Sequence, residues 1–245
     1  MVASAATANA QAYVANASLI ANRADVAFPA SPRVRAWGLA GTGTVSINGS
    51  RLNFETDLGY SHSASRSFSF SQYAAAENLT WAEPTWRIGA TVGDHATRGP
   101  AGGLSTTNFG AYGVWFPTRS VTLSAKSGAF SGRAGGAYAG AAAYWYITPD
   151  LAVFGSWDGA RFHRGFTELD WTASAQWLPW QRAPISLIAG YTRSEFAGHV
   201  DLHSHMAFVA FRLFWNRSGK VSLVGRERTG PVGWPGAFGP QGIAF

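Results

Sequence analysis

The sequence predicts an all-β fold, a closed up-and-down antiparallel transmembrane β-barrel of about twelve strands. Three observations predict it: apolar and polar residues alternate along most of the chain, short turns alternate with longer links, and tryptophans gather near the predicted strand ends. A transmembrane strand alternates because one face meets lipid and the other faces the lumen. The sheet is expected to close on itself because an open sheet edge cannot lie in lipid.

The composition excludes several other classes of protein. Charged residues make up 13% of the 245 residues, about half the share found in soluble globular proteins. Mean hydropathy is nevertheless −0.03, and no run of about eighteen apolar residues offers a membrane-spanning helix. The chain has no Cys, which excludes disulfides, thiolate zinc sites and Cys nucleophiles. The net charge of +6 is carried by singly spread arginines, with only Lys126 and Lys220 as lysines. Because no basic cluster is present, no nucleic acid partner is expected.

The alternation is clearest at 167–177 (TELDWTASAQW), where Leu, Trp and Ala share one face and charged, hydroxyl and amide residues share the other. Residues 51–61 and 121–130 repeat the pattern. A helix would scatter these sets around its circumference, whereas a strand separates them. Extending outward from these segments gives twelve strands, with boundaries uncertain by several residues. The predicted strands are 12–22, 33–47, 51–61, 68–81, 86–96, 107–116, 121–131, 136–147, 151–162, 167–178, 185–196 and 204–215.

The predicted connections are of two kinds that alternate along the chain. Short turns rich in Gly, Pro, Asn and Asp are predicted at 48–50, 82–85, 117–120, 148–150 and 179–184. The other connections include longer links, which are predicted at 23–32, 62–67, 97–106, 163–166 and 197–203, although the link near Arg133 is short.

The tryptophans form two predicted belts on the apolar face. Amphipathic rings favour the head-group layers, so a barrel in a bilayer is expected to carry aromatic residues at both strand ends. A soluble β-sandwich would instead draw aromatics towards strand middles, and here the middles are Ala, Gly, Leu and Val. The predicted belt tryptophans are Trp37, Trp81, Trp86, Trp115, Trp145, Trp157, Trp171, Trp177, Trp180 and Trp215.

Several segments resemble small porin-like outer-membrane β-barrel proteins of Gram-negative bacteria, among them TNFGAYGVWFPTRSVTLSAKSGAF, PDLAVFGSW and PISLIAGYTRSEF. The segment HMAFVAFRLFW resembles the aromatic-ended last strand that the barrel-assembly machinery recognises, although here some thirty residues follow it. The resemblance implies a bacterial outer-membrane location and contact with outer-membrane lipid and lipopolysaccharide. It also implies short periplasmic turns and longer extracellular loops, with the N-terminus on the periplasmic side.

The two ends of the chain are expected to lie outside the barrel wall. Residues 1–11 are predicted to be a signal remnant or a flexible N-terminus, because Ala10-Gln11-Ala12 resembles a signal cleavage site. Residues 12–216 are predicted to form the barrel. Residues 217–245 are predicted to be a periplasmic extension or a lumen plug, or to contain a further strand at Val221 to Arg226.

The inward faces of the strands carry the charged residues that are candidates for lining the lumen. Rings of charge inside a pore select ions. The same residues also fit a structural network that holds a narrow barrel shut, because buried charges must be paired and small barrels fill with their own side chains. The candidates are Arg51, Glu55, Asp57, Arg87, Lys126, Asp158, Glu168, Asp170 and Arg212.

No catalytic, cofactor or metal site is predicted. The six histidines (His62, His95, His163, His199, His203 and His205) fall at predicted extracellular ends or loops. His203 and His205 share a strand face but lack a third ligand. Ser204 and His205 are neighbours on a strand and point to opposite faces, so they cannot form a catalytic hydrogen bond directly. The Gly-rich stretch at 134–140 lacks the lysine and helix of a phosphate loop.

The sequence therefore favours a porin-like barrel for passive diffusion of small hydrophilic solutes, without enzymatic activity or cofactor. One alternative is a non-conducting structural, adhesion or envelope-complex subunit, with an envelope protein as partner. A third is an outer-membrane lipid-modifying enzyme, for which Ser204 and His205 are the only residues to test.

Overall fold

The computed structural model describes most of the chain. The described residues are 12–28, 31–48, 51–66, 69–100, 102–132, 135–163, 165–182, 184–198, 201–215 and 221–229. The predicted signal remnant at 1–11 and most of the tail, at 216–220 and 230–245, lie outside these residues.

Twelve strands form one closed antiparallel barrel in which each strand pairs with its neighbours in sequence and β1 pairs with β12. The predicted fold class and strand number are therefore confirmed. The strands are β1 (Ala12–Phe28), β2 (Ser31–Asn48), β3 (Leu52–Ala64), β4 (Ser69–Ala82), β5 (Trp86–Gly99), β6 (Gly102–Thr118), β7 (Val121–Gly132), β8 (Gly136–Thr148), β9 (Leu151–Phe162), β10 (Thr167–Trp177), β11 (Ile185–Ala197) and β12 (Leu202–Trp215).

The closing seam is as long as the other strand pairs. The register between β1 and β12 runs from the pair Ala15 and Trp215 to the pair Ala27 and His203. Both strands are rich in apolar residues on both faces, since Ile20, Met206 and Phe208 point inward and are buried. The barrel therefore leaves no free sheet edge among its described strands, as a structure immersed in lipid requires.

Two of the connections that were predicted to be long are shorter in the structure, and both lie at the same end of the barrel. We name the end that carries the connections 83–85, 119–120 and 149–150 the turn end, and the opposite end the loop end. The predicted link 97–106 is mostly strand, because the pairing of β5 with β6 continues to Gly99 and Gly102. The predicted link 23–32 is likewise shortened, since β1 extends to Phe28. Strand pairing persists through these Gly-rich and polar residues because the backbone ladder does not need an apolar face.

The predicted belt tryptophans lie on the outer surface. Trp81, Trp86, Trp115, Trp145, Trp177, Trp180 and Trp215 are exposed at the turn end, and Trp37 and Trp171 are exposed towards the loop end. Trp157 is half-buried because its ring packs against Trp171, with a centroid distance of 6.4 Å. Between these two groups the outer face carries Leu19, Leu58, Val92, Phe109 and Val209. The outer surface is thus an apolar band with aromatic residues at both borders, as a bilayer-spanning barrel requires.

Inward-pointing tyrosines lie across glycines of the neighbouring strands. Tyr138 on β8 passes over Gly128 on β7 and reaches Gly110 on β6, so that a Cβ at either glycine would collide with its phenol group. Tyr112 on β6 passes over Gly89 on β5, and its hydroxyl hydrogen-bonds Thr80 on β4. Each ring fills the space that the missing side chains leave, so these glycines are required by close approach of an aromatic ring.

The tail forms a helix in the segment for which the sequence had suggested a further strand. Residues Leu223–Thr229 form α1, and the suggested strand at Val221 to Arg226 is wrong. Ser222 accepts a hydrogen bond from the backbone N–H of Gly225 at its hydroxyl, at 3.3 Å, which is the contact of a helix N-cap. No helix in the described part of the chain is long and apolar enough to span a membrane.

Glu77 is a carboxylate on the outer face of β4, midway along the strand between Tyr73 and Trp81. It accepts one hydrogen bond from the Thr56 hydroxyl, at 2.8 Å. A charged group on the lipid face lowers barrel stability. We therefore expect Glu77→Leu to raise the free energy of unfolding in lipid vesicles by roughly 1 kcal/mol. Urea unfolding followed by tryptophan fluorescence measures this change.

The control for this prediction is Glu83→Leu, in the connection between β4 and β5. Glu83 pairs with Arg51 at 3.4 Å and lies at the water-exposed rim, so its replacement should not stabilise the barrel. A loss of stability on Glu77→Leu as large as that on Glu83→Leu would contradict a lipid-facing position for Glu77.

Candidate functional site: the lumen and its turn-end closure

The inner wall carries the polar half of the alternation. Eight of the nine predicted lumen residues point inward, and Glu55, Asp57, Arg87, Lys126 and Glu168 are buried there. The ninth, Arg51, lies at the turn-end rim, where its side chain is exposed and pairs with Glu83. The eight inward residues divide into three groups that different strands bring together.

The first group lies on β2 to β5, in the half of the barrel towards the turn end. Asp57 accepts hydrogen bonds from the Thr44 hydroxyl and the Asn78 amide, both inward-pointing on the adjacent strands. Glu55 lies two residues away on the same face of β3 and is 1% exposed. Arg87 on β5 is close enough to Glu55 for the two charges to attract each other. Asp57 is therefore held by donors from both adjacent strands.

The second group spans four neighbouring strands, β7 to β10, at one level of the lumen. Lys126 on β7 pairs with Asp158 on β9 at 2.7 Å, and the pair passes over Gly140 of β8, where a Cβ would collide with the Asp158 carboxylate. Asp170 on β10 is directly opposite Asp158 in the strand register. Glu168 follows on the same face of β10. The cluster therefore contains three carboxylates and one lysine, which pairs with Asp158.

The third group joins the barrel wall to α1. Arg212 on β12 pairs with Glu227 of α1 at 3.0 Å, and the Gln176 amide on β10 donates to the same carboxylate oxygen at 2.9 Å. Arg212 also donates to the Ser18 hydroxyl at 3.2 Å. Gln176 donates in addition to the Ser186 hydroxyl. The Glu227 carboxylate thus accepts hydrogen bonds from inward-pointing side chains of β10 and β12.

The apolar side of α1 is buried against the turn end of the barrel. Leu223 is 0% exposed and packs in one cluster with Tyr146, Leu178 and Phe214. The backbone N–H of Leu223 donates to the Asp150 carboxylate at 3.3 Å. Burying a leucine side chain contributes about 2 kcal/mol, so this contact is the main apolar anchor of the helix.

The two arginines of α1 bind backbone oxygens at the rim. Arg228 donates to the carbonyl oxygens of Thr118 and Val121, at the connection between β6 and β7. Arg226 donates to the carbonyl oxygen of Gln181 at 3.1 Å, after β10. Guanidinium groups suit this role because they offer several donors in a fixed plane.

The contacts of α1 reach nearly opposite walls of the barrel. Its residue Glu227 binds β12, and the carbonyl oxygen of the next residue, Arg228, accepts a hydrogen bond from Arg87 on β5. In the ring of twelve strands, β5 and β12 are five positions apart by the shorter way. The helix therefore lies across the turn-end opening of the lumen.

The lumen is unevenly filled. On one side Ile20, Ala40, Met206 and Phe208 form a dry apolar cluster. Beside it, a cavity of about 600 Å³ extends along the inner wall of β1 to β6. The inward side chains at this cavity are small or polar: Ser18, Thr42, Ala74 and His95, with Gly59 among them. This cavity gives a small solute room along one wall.

The described histidines and the serine–histidine pair do not form a site. Ser204 is buried on the inner face of β12, whereas His205 is exposed on the outer face and hydrogen-bonds Tyr191. His62 hydrogen-bonds Ser71 at 2.9 Å, and His95 points into the lumen. His199 lies outside the described residues. Among the residues that the structure describes, no group of three histidine or carboxylate side chains could hold a metal ion.

Sequence reasoning missed several residues that shape this lumen. Gln176 was placed on the inner face, but its bond to Glu227 joins residues 51 positions apart, and no local pattern reports such a contact. Tyr138 stands in a Gly- and Ala-rich segment that identified barrel wall but not the ring that crosses it. The sequence signal that could have identified α1 is Ser222, which the structure places at the N-cap.

Solved structures with the same architecture are outer-membrane β-barrels. The TodX monoaromatic hydrocarbon channel, as a deltaS2 mutant, matches with a TM-score of 0.55 at 8% identity, over 85% of this chain and 91% of that one. An outer membrane channel from Pseudomonas putida F1 matches with a TM-score of 0.55 at 11% identity, over 84% and 96%. The KdgM porin in complex with disordered oligogalacturonate matches with a TM-score of 0.50 at 8% identity, over 79% and 98%. At these identities the likeness is one of fold.

No sequence-family profile matches the chain, and no curated protein matches it.

Proposed function

We propose that this chain is a porin-like channel of the bacterial outer membrane, through which small hydrophilic solutes diffuse passively. The observation that carries the proposal is a cavity of about 600 Å³ along the wall of a closed barrel, at which the inward-pointing side chains are small or polar. An apolar outer band with aromatic borders supports the membrane setting. The barrels of similar fold include a monoaromatic hydrocarbon channel and a porin. In this setting the turn end faces the periplasm and the outer face contacts outer-membrane lipid and lipopolysaccharide.

The tail has a role in the same proposal. Helix α1 acts as a plug that covers the periplasmic opening, since its contacts span β5 to β12. The path is conductive when the helix leaves its site and is narrowed when the helix is docked. No covalent chemistry and no bound cofactor enter this function.

Conductance across a planar lipid bilayer tests the proposal. We expect purified full-length protein to give discrete current steps in potassium chloride, with a low open fraction because α1 is docked. The same protein in liposomes should admit small sugars and not large ones. Complete silence at all voltages, together with absence of sugar uptake, would contradict the channel.

A second candidate function is a non-conducting structural or envelope-complex subunit. The observation that favours it is the dry apolar cluster around Ile20, Met206 and Phe208, which fills one side of the lumen. A silent barrel that co-purifies with a stoichiometric envelope protein would support this alternative. The third alternative was a lipid-modifying enzyme, and the structure does not support its candidate pair, since Ser204 faces the lumen and His205 faces outward.

A further inference from the structure

The charge of the lumen is opposite to the charge of the whole chain. The chain carries a formal net charge of +6, which by itself suggests an attraction for anions. The barrel separates its charged residues into an inner and an outer set, because alternate residues of each strand point to opposite sides of the wall. A solute in the lumen meets the inner set at close range.

The inner set on the described strands has more acids than bases. Five carboxylates point inward against three cations, which leaves a formal charge of −2 on the inner wall. The inward acids are Glu55, Asp57, Asp158, Glu168 and Asp170, and the inward bases are Arg87, Lys126 and Arg212.

The arginines that make the chain basic lie elsewhere. On the described strands the outward-pointing arginines are Arg23, Arg33, Arg35, Arg98, Arg161 and Arg193, all near the loop end. Arg23 stacks over the Trp37 ring at 5.3 Å and Arg98 over the Tyr73 ring at 5.9 Å. These guanidinium groups are held on the outer, water-exposed or head-group side of the wall, where salt screens them within about 10 Å.

The excess of negative charge is concentrated at one level of the lumen. One small cavity is lined by Lys126 and by the carboxylates of Asp158, Glu168 and Asp170. The volume of this cavity, about 10 Å³, suits roughly one water molecule. Lys126 pairs with Asp158, and Asp170 accepts from Ser194.

Glu168 differs from its neighbours because it lacks such a partner. Its side chain is 7% exposed, and no hydrogen bond or ion pair joins it to another side chain in the described part of the chain. The charges that act on it are the carboxylates of Asp170 and Asp158, whereas Lys126 of the same cluster pairs with Asp158. A buried carboxylate needs either a compensating charge or a proton, and Lys126, the cation of this cluster, is paired with Asp158 instead.

The other inward cations lie close to carboxylates while α1 is docked. Arg212 is paired with Glu227 at 3.0 Å, and Arg87 lies near the Glu55 carboxylate. Arg226 and Arg228 lie on α1 at the turn-end opening, bound to backbone oxygens. When the helix undocks, Arg226 and Arg228 leave the opening and Glu227 leaves Arg212, so the strands alone then set the formal charge of the inner wall, which is −2.

Resting on the proposed channel function, we propose that the carboxylates Asp158, Glu168 and Asp170 form a cation-selecting site, so that the lumen passes small inorganic and organic cations in preference to anions. Carboxylates lining a narrow path select cations because the low-dielectric wall strengthens their field. Glu168 has no ion-pair partner of its own among the described residues, so a cation that passes the cluster is the counter-charge that favours its ionised form.

The reversal potential in a potassium chloride gradient tests this inference on the full-length protein. We expect a sign that reports preference for potassium over chloride. The isosteric pair Glu168→Gln and Asp170→Asn, combined in one variant, should lower the cation-to-anion permeability ratio by at least about twofold, because it removes two charges at close range. Lys126 and Asp158 keep their ion pair in this variant, so the barrel should still fold.

The matched control is Glu77→Gln, which removes one carboxylate from the outer face of the barrel. It should leave the permeability ratio unchanged, since the wall separates Glu77 from the lumen. Conducting protein with a preference for chloride overturns the inference and leaves the channel intact. So does an equal loss of selectivity in the Glu77→Gln control. Silence of the full-length chain at every voltage instead contradicts the channel function, and the inference with it.

Discussion

Replacing Leu223 by Asp is expected to raise the conductance of the barrel strongly. The side chain of Leu223, the first residue of α1, is fully buried against Leu178 and Phe214 at the turn end of the barrel. Truncating a buried leucine typically costs about 2–5 kcal/mol, and a carboxylate in the same place is worse because it is desolvated without a partner. Since about 1.4 kcal/mol corresponds to a tenfold change in an equilibrium, docking should weaken at least tenfold. The open fraction of single channels in a planar bilayer measures this.

The control for this change is Leu223→Met, which keeps volume and apolar character and should behave like the unchanged protein. The barrel itself should remain folded in both variants, as judged by its heat-dependent mobility on a gel, because its strands pair without help from α1. Equal open fractions in the Asp and Met variants would show that docking of α1 does not limit conductance.

Replacing Gly128 by Ala is expected to destabilise the barrel, although alanine ordinarily suits a strand better than glycine. A Cβ at this position would overlap the backbone oxygen of Phe109 and the ring of Tyr138. The backbone of the paired strand cannot move aside as a flexible side chain can. Overpacking of this kind costs roughly 1–3 kcal/mol. Urea unfolding in lipid vesicles, followed by tryptophan fluorescence, should show the loss.

Gly59→Ala is the matched control, because Gly59 also faces the lumen from a strand interior. A Cβ there would make ordinary contacts, at 3.7 Å from the Ala74 Cβ and 3.9 Å from the Thr42 methyl group. This variant should gain roughly 0.5 kcal/mol, the usual advantage of alanine over glycine. The two substitutions are therefore expected to have opposite signs. A shared sign would show that the Tyr138 ring does not depend on the bare Gly128 backbone.

The barrel was largely predictable from the sequence, because its physical requirements repeat in every strand. Residues 167–177 show strict alternation, and the structure forms β10 at Thr167–Trp177. The prediction for β9 matches its observed bounds, Leu151–Phe162. A lipid-facing strand must present apolar residues at every second position, so the pattern alone identifies it.

The ends of the strands near the loop end were harder to predict. Beyond the apolar band both faces of a strand meet water, and the alternation that marks the strand disappears. The segment around 97–106 therefore resembled a loop, although Arg98 and Thr97 continue the ladder opposite Gly103 and Leu104. For this reason the predicted lengths of the connections were a weak guide to which end of the barrel is the turn end and which is the loop end.

The interior depends on contacts that no local pattern encodes. Alternation placed Lys126 and Asp158 on the inner face, but their pairing depends on strand register and on the missing side chain of Gly140. The position of α1 depends on the contacts of Glu227 with Arg212 and Gln176. Gln176 is distant from Glu227 in the sequence, and the residues between Arg212 and Glu227 contain no recognisable motif. Valine and leucine at 221–224 fit a strand as well as a helix.

The central claim is that the lumen is a solute path which α1 covers at its turn end. Because the chain has no Cys, a single introduced pair, Leu223→Cys with Leu178→Cys, can be joined by a short thiol cross-linker without side reactions. Single-channel conductance is then measured before and after the linker is cleaved by a reductant. We expect the joined protein to be nearly silent and the cleaved protein to conduct, with an open fraction at least as high as that of the unchanged chain, because two cysteines bury less apolar surface than two leucines. Equal conductance in both states, or a pair that cannot be joined, would contradict a plug at this position.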